Sequence, residues 1–237
     1  MTIKLKSGKL KVLVTGGAGF IGGCLIRKLL EKTNSKVFNL DKISYSSDLS
    51  WLQTIKNKDR HQLLKVDLAN IKETKKAIKD SDPDLIIHLA AESHVDRSIE
   101  DAKPFINSNI LGTFNLLESA KDHWLQLNNY RKNNFRILHV STDEVYGSLG
   151  NEGFFNEDSP YDPRSPYSAS KAASDHLVNA WFHTFKLPII KTNCSNNFGP
   201  FQSPEKYIPL IIINALNQKK IPIYGNGTQI RDWLYVE

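Results

Sequence analysis

The stretch KVLVTGGAGFIG, residues 11–22, decides the fold. A short apolar run enters a cluster of glycines and leaves it, at 21–32, with the apolar spacing of a helix. Gly16, Gly19 and Gly22 stand where a strand turns into a helix beneath a dinucleotide. The first permits a tight turn, the second lets the backbone approach a pyrophosphate, and the third lets the helix lie close to the sheet. The first N–H groups of that helix, around Phe20 and Ile21, would face the diphosphate with a partial positive charge.

Working outward, apolar runs at 11–15, 36–40, 62–66, 84–89, 135–140 and 188–192 read as strands buried on both faces. Helical patterns at 21–32, 71–79, 104–127, 167–185 and 205–218 alternate with them. Repeated βαβ order predicts an α/β fold: a Rossmann-type, doubly wound parallel sheet with helices on both faces. Residues 1–10 read as a basic tail, 11–195 as the dinucleotide-binding domain carrying the chemistry, and 196–237 as the start of a substrate-binding lobe. Residues 147–166, rich in glycine, proline and acids, read as an irregular loop over the strand ends.

The 237 residues, 40% of them hydrophobic, suffice for a large core. The formal charge of +6 is spread along the chain, with its densest lysines in the first eleven residues, so no nucleic-acid surface is expected. No apolar run is long enough to cross a bilayer, and two distant cysteines, Cys24 and Cys194, suit neither a disulfide framework nor a metal site. A cytoplasmic, metal-free protein is the expectation.

Asp41 ends the second strand about twenty residues after the glycines, where a carboxylate accepts hydrogen bonds from an adenosine ribose; this favours NAD over NADP, although Lys42 follows directly. Asp67, ending the third strand, suits either the adenine amino group or a loop cap. His88, inside a strand pattern, reads as a packed core residue. Tyr167 and Lys171 are four residues apart and share a helix face. Beside a strand end bearing Ser141, Thr142, Asp143 and Glu144, they suit an alcohol oxidation, with the ammonium, helped by a bound cofactor's positive nicotinamide ring, lowering the phenol pKa. A surface Tyr/Lys pair and a solvated Asp143–Glu144 loop are the bland alternatives.

The glycine segment, HLAAESHVDRS (88–98), STDEVYG (141–147), YSASK (167–171), NCSNNFGP (193–200) and RDWLYVE (231–237) together resemble the extended short-chain dehydrogenase/reductase family. That resemblance implies NAD as cofactor and a nucleotide-diphosphate sugar as substrate, dTDP-glucose being the expected one, with a 4-keto-6-deoxy sugar as product. It implies that Tyr167 removes the 4-hydroxyl proton and Lys171 binds the nicotinamide ribose. Glu144 would be the C5 base, Asp143 the acid for the departing 6-hydroxyl, and Thr142 the partner of the sugar O4. Leu68, Leu89, Ala90, Ala91 and Asn196 join the implied cofactor contacts. Ser93, Asn197, Lys206, Tyr224 and Arg231 join those to substrate, with Glu92 and His94 flanking Ser93.

The same resemblance implies a homodimer through helices 104–127 and 167–185, and a lobe beyond residue 237, without which the chain is expected to bind NAD but turn over poorly. Another nucleotide-sugar dehydratase or an epimerase remains open, though an epimerase has no use for an acid/base pair after the threonine. A non-catalytic NAD-binding module would be signalled by loss of Tyr167, Lys171 or Glu144, all of which are present.

Overall fold

The computed structural model describes residues 9–150, 152–223 and 225–237; most of the expected basic tail and Tyr224 lie outside them. Six strands form one sheet: β1 (Lys11–Thr15), β2 (Lys36–Asp41), β3 (His61–Lys65), β4 (Leu85–His88), β5 (Arg136–Thr142) and β6 (Ile189–Cys194). Their order is 3-2-1-4-5-6 and every pairing is parallel, which is the predicted doubly wound sheet.

β3 and β6, expected to be buried on both faces, are half-exposed because they lie at the two edges of the sheet; β1, at its centre, shows why the inner strands are apolar. Val12 and Val14 point to one face, against Ile26 and Leu30 of helix α1 (Phe20–Lys32). Leu13 points to the other, packing with Ile78 of α2 (Ile71–Ser81) and with Leu116 and Leu117. All three β1 side chains are fully buried, so no polar alternation is possible in a strand covered on both sides.

The expected helix at 104–127 is one helical rod with an irregular core. Short α3 (Val95–Glu100) and α4 (Lys103–Phe105) lead into a single π-helical turn, Ile106–Leu111, and then α5 (Gly112–Gln126). A π turn rotates the side chains that follow and is frequent near functional sites; here it carries Asn109 inward to 1% exposure. α6 (Asn129–Asn134) precedes β5, and α7 (Pro166–Phe185) follows the irregular loop. Ser165 caps α7 through a capping box with Ser168, and Pro166 occupies its first turn, fixing where Tyr167 and Lys171 start.

Residues 43–60, unassigned from sequence, wind through two short 3-10 turns and drive Trp51 into the core beside α1. At the far end, β7 (Asn196–Phe198) and β8 (Trp233–Tyr235) form a separate parallel pair, flanking α8 (Tyr207–Leu216), which buries none of its residues.

Candidate active site

Because all six strands run the same way, their C-terminal ends open together onto a cleft of about 570 Å³. On the cofactor side the cleft is bordered by Gly16, Gly19, Phe20, Ile21, Gly22, Asp41, Lys42, Asp67, Leu68, Leu89, Ala90, Ala91 and Asn196. Thr142, Glu144, Tyr167, Lys171, Ser93, Asn197 and Lys206 border it as well. Of the other predicted residues, Asp143 and Arg231 are not among the lining residues, and Tyr224 is outside the described residues.

The glycine turn has the shape a diphosphate needs. Gly16 has φ +73°, and a Cβ there would lie 2.7 Å from the Ala90 backbone; at Gly22 a Cβ would collide with the Gly16 carbonyl. Gly19 caps α1 without a side-chain bond, and the first turn holds no acid. α2 and α7, by contrast, are capped by Asn70 and Ser165. The N–H groups of α1 are thus left for an anion.

Asp41 accepts from Ala18 N at 2.9 Å and from Ile43 N at 2.8 Å. A carboxylate has about four acceptor positions, so it retains capacity for a ribose hydroxyl. Asp67 accepts from Ala69 N at 2.9 Å, a loop cap at the edge of the cleft. His88 is the packed core residue expected: Nδ1 meets Thr15 Oγ1 at 2.7 Å and Nε2 meets Thr113 Oγ1 at 3.0 Å.

On the chemical side, β5 delivers Thr142 to the cleft and Asp143–Tyr146 turns away in a 3-10 turn. Thr142 Oγ1 accepts from Glu144 N and donates to Asp143 Oδ1, both at 3.2 Å, so one hydroxyl orders both acids. Burial raises the Asp143 pKa; burial, then the Asp143 charge, raises that of Glu144, while Arg231 opposes both shifts. Lys206, donating to Ser93 O at 3.3 Å, has its pKa lowered by burial against the pull of Glu205 and Glu144. The exposed Arg231 guanidinium bonds Ile230 O.

Tyr167 and Lys171 are both buried on one face of α7. Burial, reinforced by the Glu144 charge, pushes the phenol pKa well above its ordinary range, and a hydrogen bond with Thr142 only partly opposes this. Lys171 donates to Val140 O at 3.0 Å, and burial lowers its own pKa. Desolvation of the phenolate is the largest effect on Tyr167.

Sequence reasoning missed the hub that holds this arrangement. Asp175, one turn after Lys171, is wholly buried and accepts from Ser141 Oγ and Tyr161 Oη at 2.8 Å each, with His139 Nε2 at 3.0 Å. Its spacing from Lys171, i to i+4, was the available signal. Also missed were Ser108, Tyr45, Cys194 and Trp233 on the cleft wall; Ser108 arrives through the π turn, which no periodicity announces. Among the described residues, no group of three or more His, Cys, Asp and Glu is placed to hold a metal, and no helix is long and apolar enough to cross a membrane.

The chain matches known proteins over nearly its whole length. It is 53% identical over 228 residues to a probable dTDP-glucose 4,6-dehydratase of Sinorhizobium fredii, covering 96% of this chain and 65% of that protein. It is 52% identical over 231 residues to the dTDP-glucose 4,6-dehydratase of Neisseria gonorrhoeae, covering 97% and 67%. The chain therefore spans about two thirds of the length of these relatives. Among solved structures it superposes on DesIV, a dTDP-glucose 4,6-dehydratase of Streptomyces venezuelae crystallised with NAD and TYD, with TM-score 0.86 and 40% identity over 95% of this chain and 68% of that one. The UDP-glucose 4-epimerase of Thermus thermophilus, in complex with NAD, gives TM-score 0.81 and 28% identity over 95% and 70%. The family model described as GDP-mannose 4,6 dehydratase matches residues 13–237, and by that match and by its dTDP-glucose 4,6-dehydratase relatives the chain belongs to this nucleotide-sugar 4,6-dehydratase family.

Proposed function

We propose that this chain supplies the NAD-binding and chemical half of a dTDP-glucose 4,6-dehydratase. The observation that carries the reading is the meeting of Thr142, Glu144, Tyr167 and Lys171 on one cleft whose far wall is a glycine turn shaped for a diphosphate. NAD, when bound, supplies the hydride acceptor for C4 of the sugar and the hydride later returned to C6. Gly16, Gly19 and Gly22 with the α1 N–H groups would hold its pyrophosphate, Asp41 its adenosine ribose and Lys171 the second ribose.

Tyr167 takes the proton of the 4-hydroxyl as C4 is oxidised, and Thr142 steadies that oxygen. The ketone acidifies the C5 hydrogen, which Glu144 removes as a carboxylate, while Asp143 gives its proton to the 6-hydroxyl departing as water. Two neighbouring carboxyls in a half-buried turn do not ionise together easily, which divides them into base and acid. This pair favours water loss over epimerisation. Lys206 and Arg231, whose charges reach the acids, are suited to the substrate diphosphate.

α5 and α7 carry the exposed Phe114, Phe182 and Phe185, an apolar strip suited to a second copy in a homodimer. Free thiols at Cys24 and Cys194 suit a reducing, cytoplasmic setting.

The test is to incubate the protein with NAD and dTDP-glucose, or with UDP-glucose in parallel, and follow 4-keto sugar by its absorbance in alkali. The expected result is NAD binding by this chain, with product from dTDP-glucose once the chain is extended to the length of its relatives. Failure to bind NAD, or epimerised sugar without water loss, would overturn the reading.

A further inference from the structure

Lys42 stands next to Asp41 at the tip of β2, on the wall of the cleft that the proposed NAD ribose would occupy. An ammonium there is the natural partner for a 2′-phosphate, and alone it would soften the discrimination that Asp41 provides. It is not free. Lys42 Nζ lies 2.6 Å from Glu92 Oε1 and 3.4 Å from Ser108 Oγ. Glu92 approaches from the loop after β4, and its side chain is 12% exposed against 33% for Lys42.

The backbone of Glu92 is held in place from behind. Glu92 N donates to Asn109 Oδ1 at 2.8 Å, and Asn109 Nδ2 donates to Glu92 O at 3.0 Å. The same buried amide donates to Ser170 Oγ on α7 at 2.8 Å. Asn109 and Ser108 both come from the π turn, so one helical irregularity supplies the brace for Glu92 and a second acceptor for Lys42. These backbone bonds do not depend on the Glu92 carboxylate.

We infer that Glu92 is a specificity-determining residue: by engaging Lys42 it withholds the cation next to Asp41 from a 2′-phosphate and so enforces NAD over NADP. Formal charge follows directly. Asp41, Lys42 and Glu92 sum to one negative charge beside the ribose, repelling a phosphate; without the Glu92 charge the sum is zero and the ammonium is released. The inference rests on the NAD reading of the cleft proposed above.

Dissociation constants for NAD and NADP, measured by titration calorimetry on the unaltered chain, Glu92→Gln, Glu92→Ala, Lys42→Ala and the Glu92→Gln/Lys42→Ala double variant, test it without any turnover. The unaltered chain should prefer NAD. Either Glu92 substitution should move the ratio toward NADP by about tenfold or more, through tighter NADP binding. Lys42→Ala, which takes the local sum to two negative charges, should not tighten NADP binding, and in the double variant the gain should vanish. A Glu92→Gln ratio within about twofold of the unaltered chain, a gain that survives in the double variant, or loss of both cofactors from both folded Glu92 variants would overturn the inference. Absence of NAD binding by the unaltered chain would instead strike the reading on which it rests.

Discussion

Tyr167 begins as a poor base, buried and facing the Glu144 charge, and the Thr142 hydroxyl beside it only partly offsets this. Replacing it with phenylalanine should slow C4 oxidation by about 10²–10⁴-fold, read from the rate at which reduced nicotinamide appears in a single turnover. Glu144→Gln should leave that phase intact and stop the next, so reduced nicotinamide should accumulate without 4-keto-6-deoxy product; product at the unaltered rate would remove Glu144 from the role of base. The same glutamate has a cost in stability. Its folded pKa is raised, so between the unfolded and folded values the native chain holds more protons, and stability falls as pH rises through that window. Glu144→Gln should therefore melt higher than the unaltered chain at pH 7, with the difference shrinking in acid, as differential scanning fluorimetry would register.

β5 and α7 are sewn together by Asp175, which takes bonds from His139 and Ser141 on the strand and from Tyr161 in the irregular loop. Burial alone would raise its pKa, but these donors, His139 foremost, hold it below the ordinary carboxylate value. Asp175→Ala strands several buried polar groups and should cost about 3–5 kcal/mol in urea denaturation. His139 is kept neutral, its pKa lowered by burial from 6.5 to about 4. The unfolded chain takes up that proton first, so stability is lost as pH falls from 6.5 towards 4, by on the order of 3 kcal/mol from this residue; His139→Gln should flatten that part of the profile. These elements also show what a sequence reveals. β1, α1 and the start of α7 were legible because glycine, proline and apolar period each admit few conformations there. The π turn at 106–111, Asp175 as a hub and the Trp51 plug were not, because each depends on which distant element packs against it. Likewise Tyr167 and Lys171 were legible as a pair, while the burial that raises the phenol's pKa was not, since burial is a property of the assembled fold.

Two apolar surfaces face outward, and they differ in rigidity. α8 with its flanking strand exposes Ile212, Leu216 and Tyr235, yet buries no residue against the sheet. α5 and α7 are anchored by Leu116, Leu117 and Val178 in the main core and locked to each other, with Phe114 and Trp181 rings 5.8 Å apart and Trp181 Nε1 bonded to Glu118. A two-fold interface needs a patch that meets its own copy in fixed geometry, and a preorganised surface loses less entropy on association. The α5/α7 strip should therefore carry the proposed homodimer, if two copies associate as the reading above expects. Phe114→Asp combined with Phe182→Asp buries two charges in that contact and should shift sedimentation velocity profiles to the monomer. Ile212→Asp with Leu216→Asp should leave the dimer in place. The opposite pattern would assign association to α8 and leave Phe182 and Phe185 as ordinary exposed aromatics.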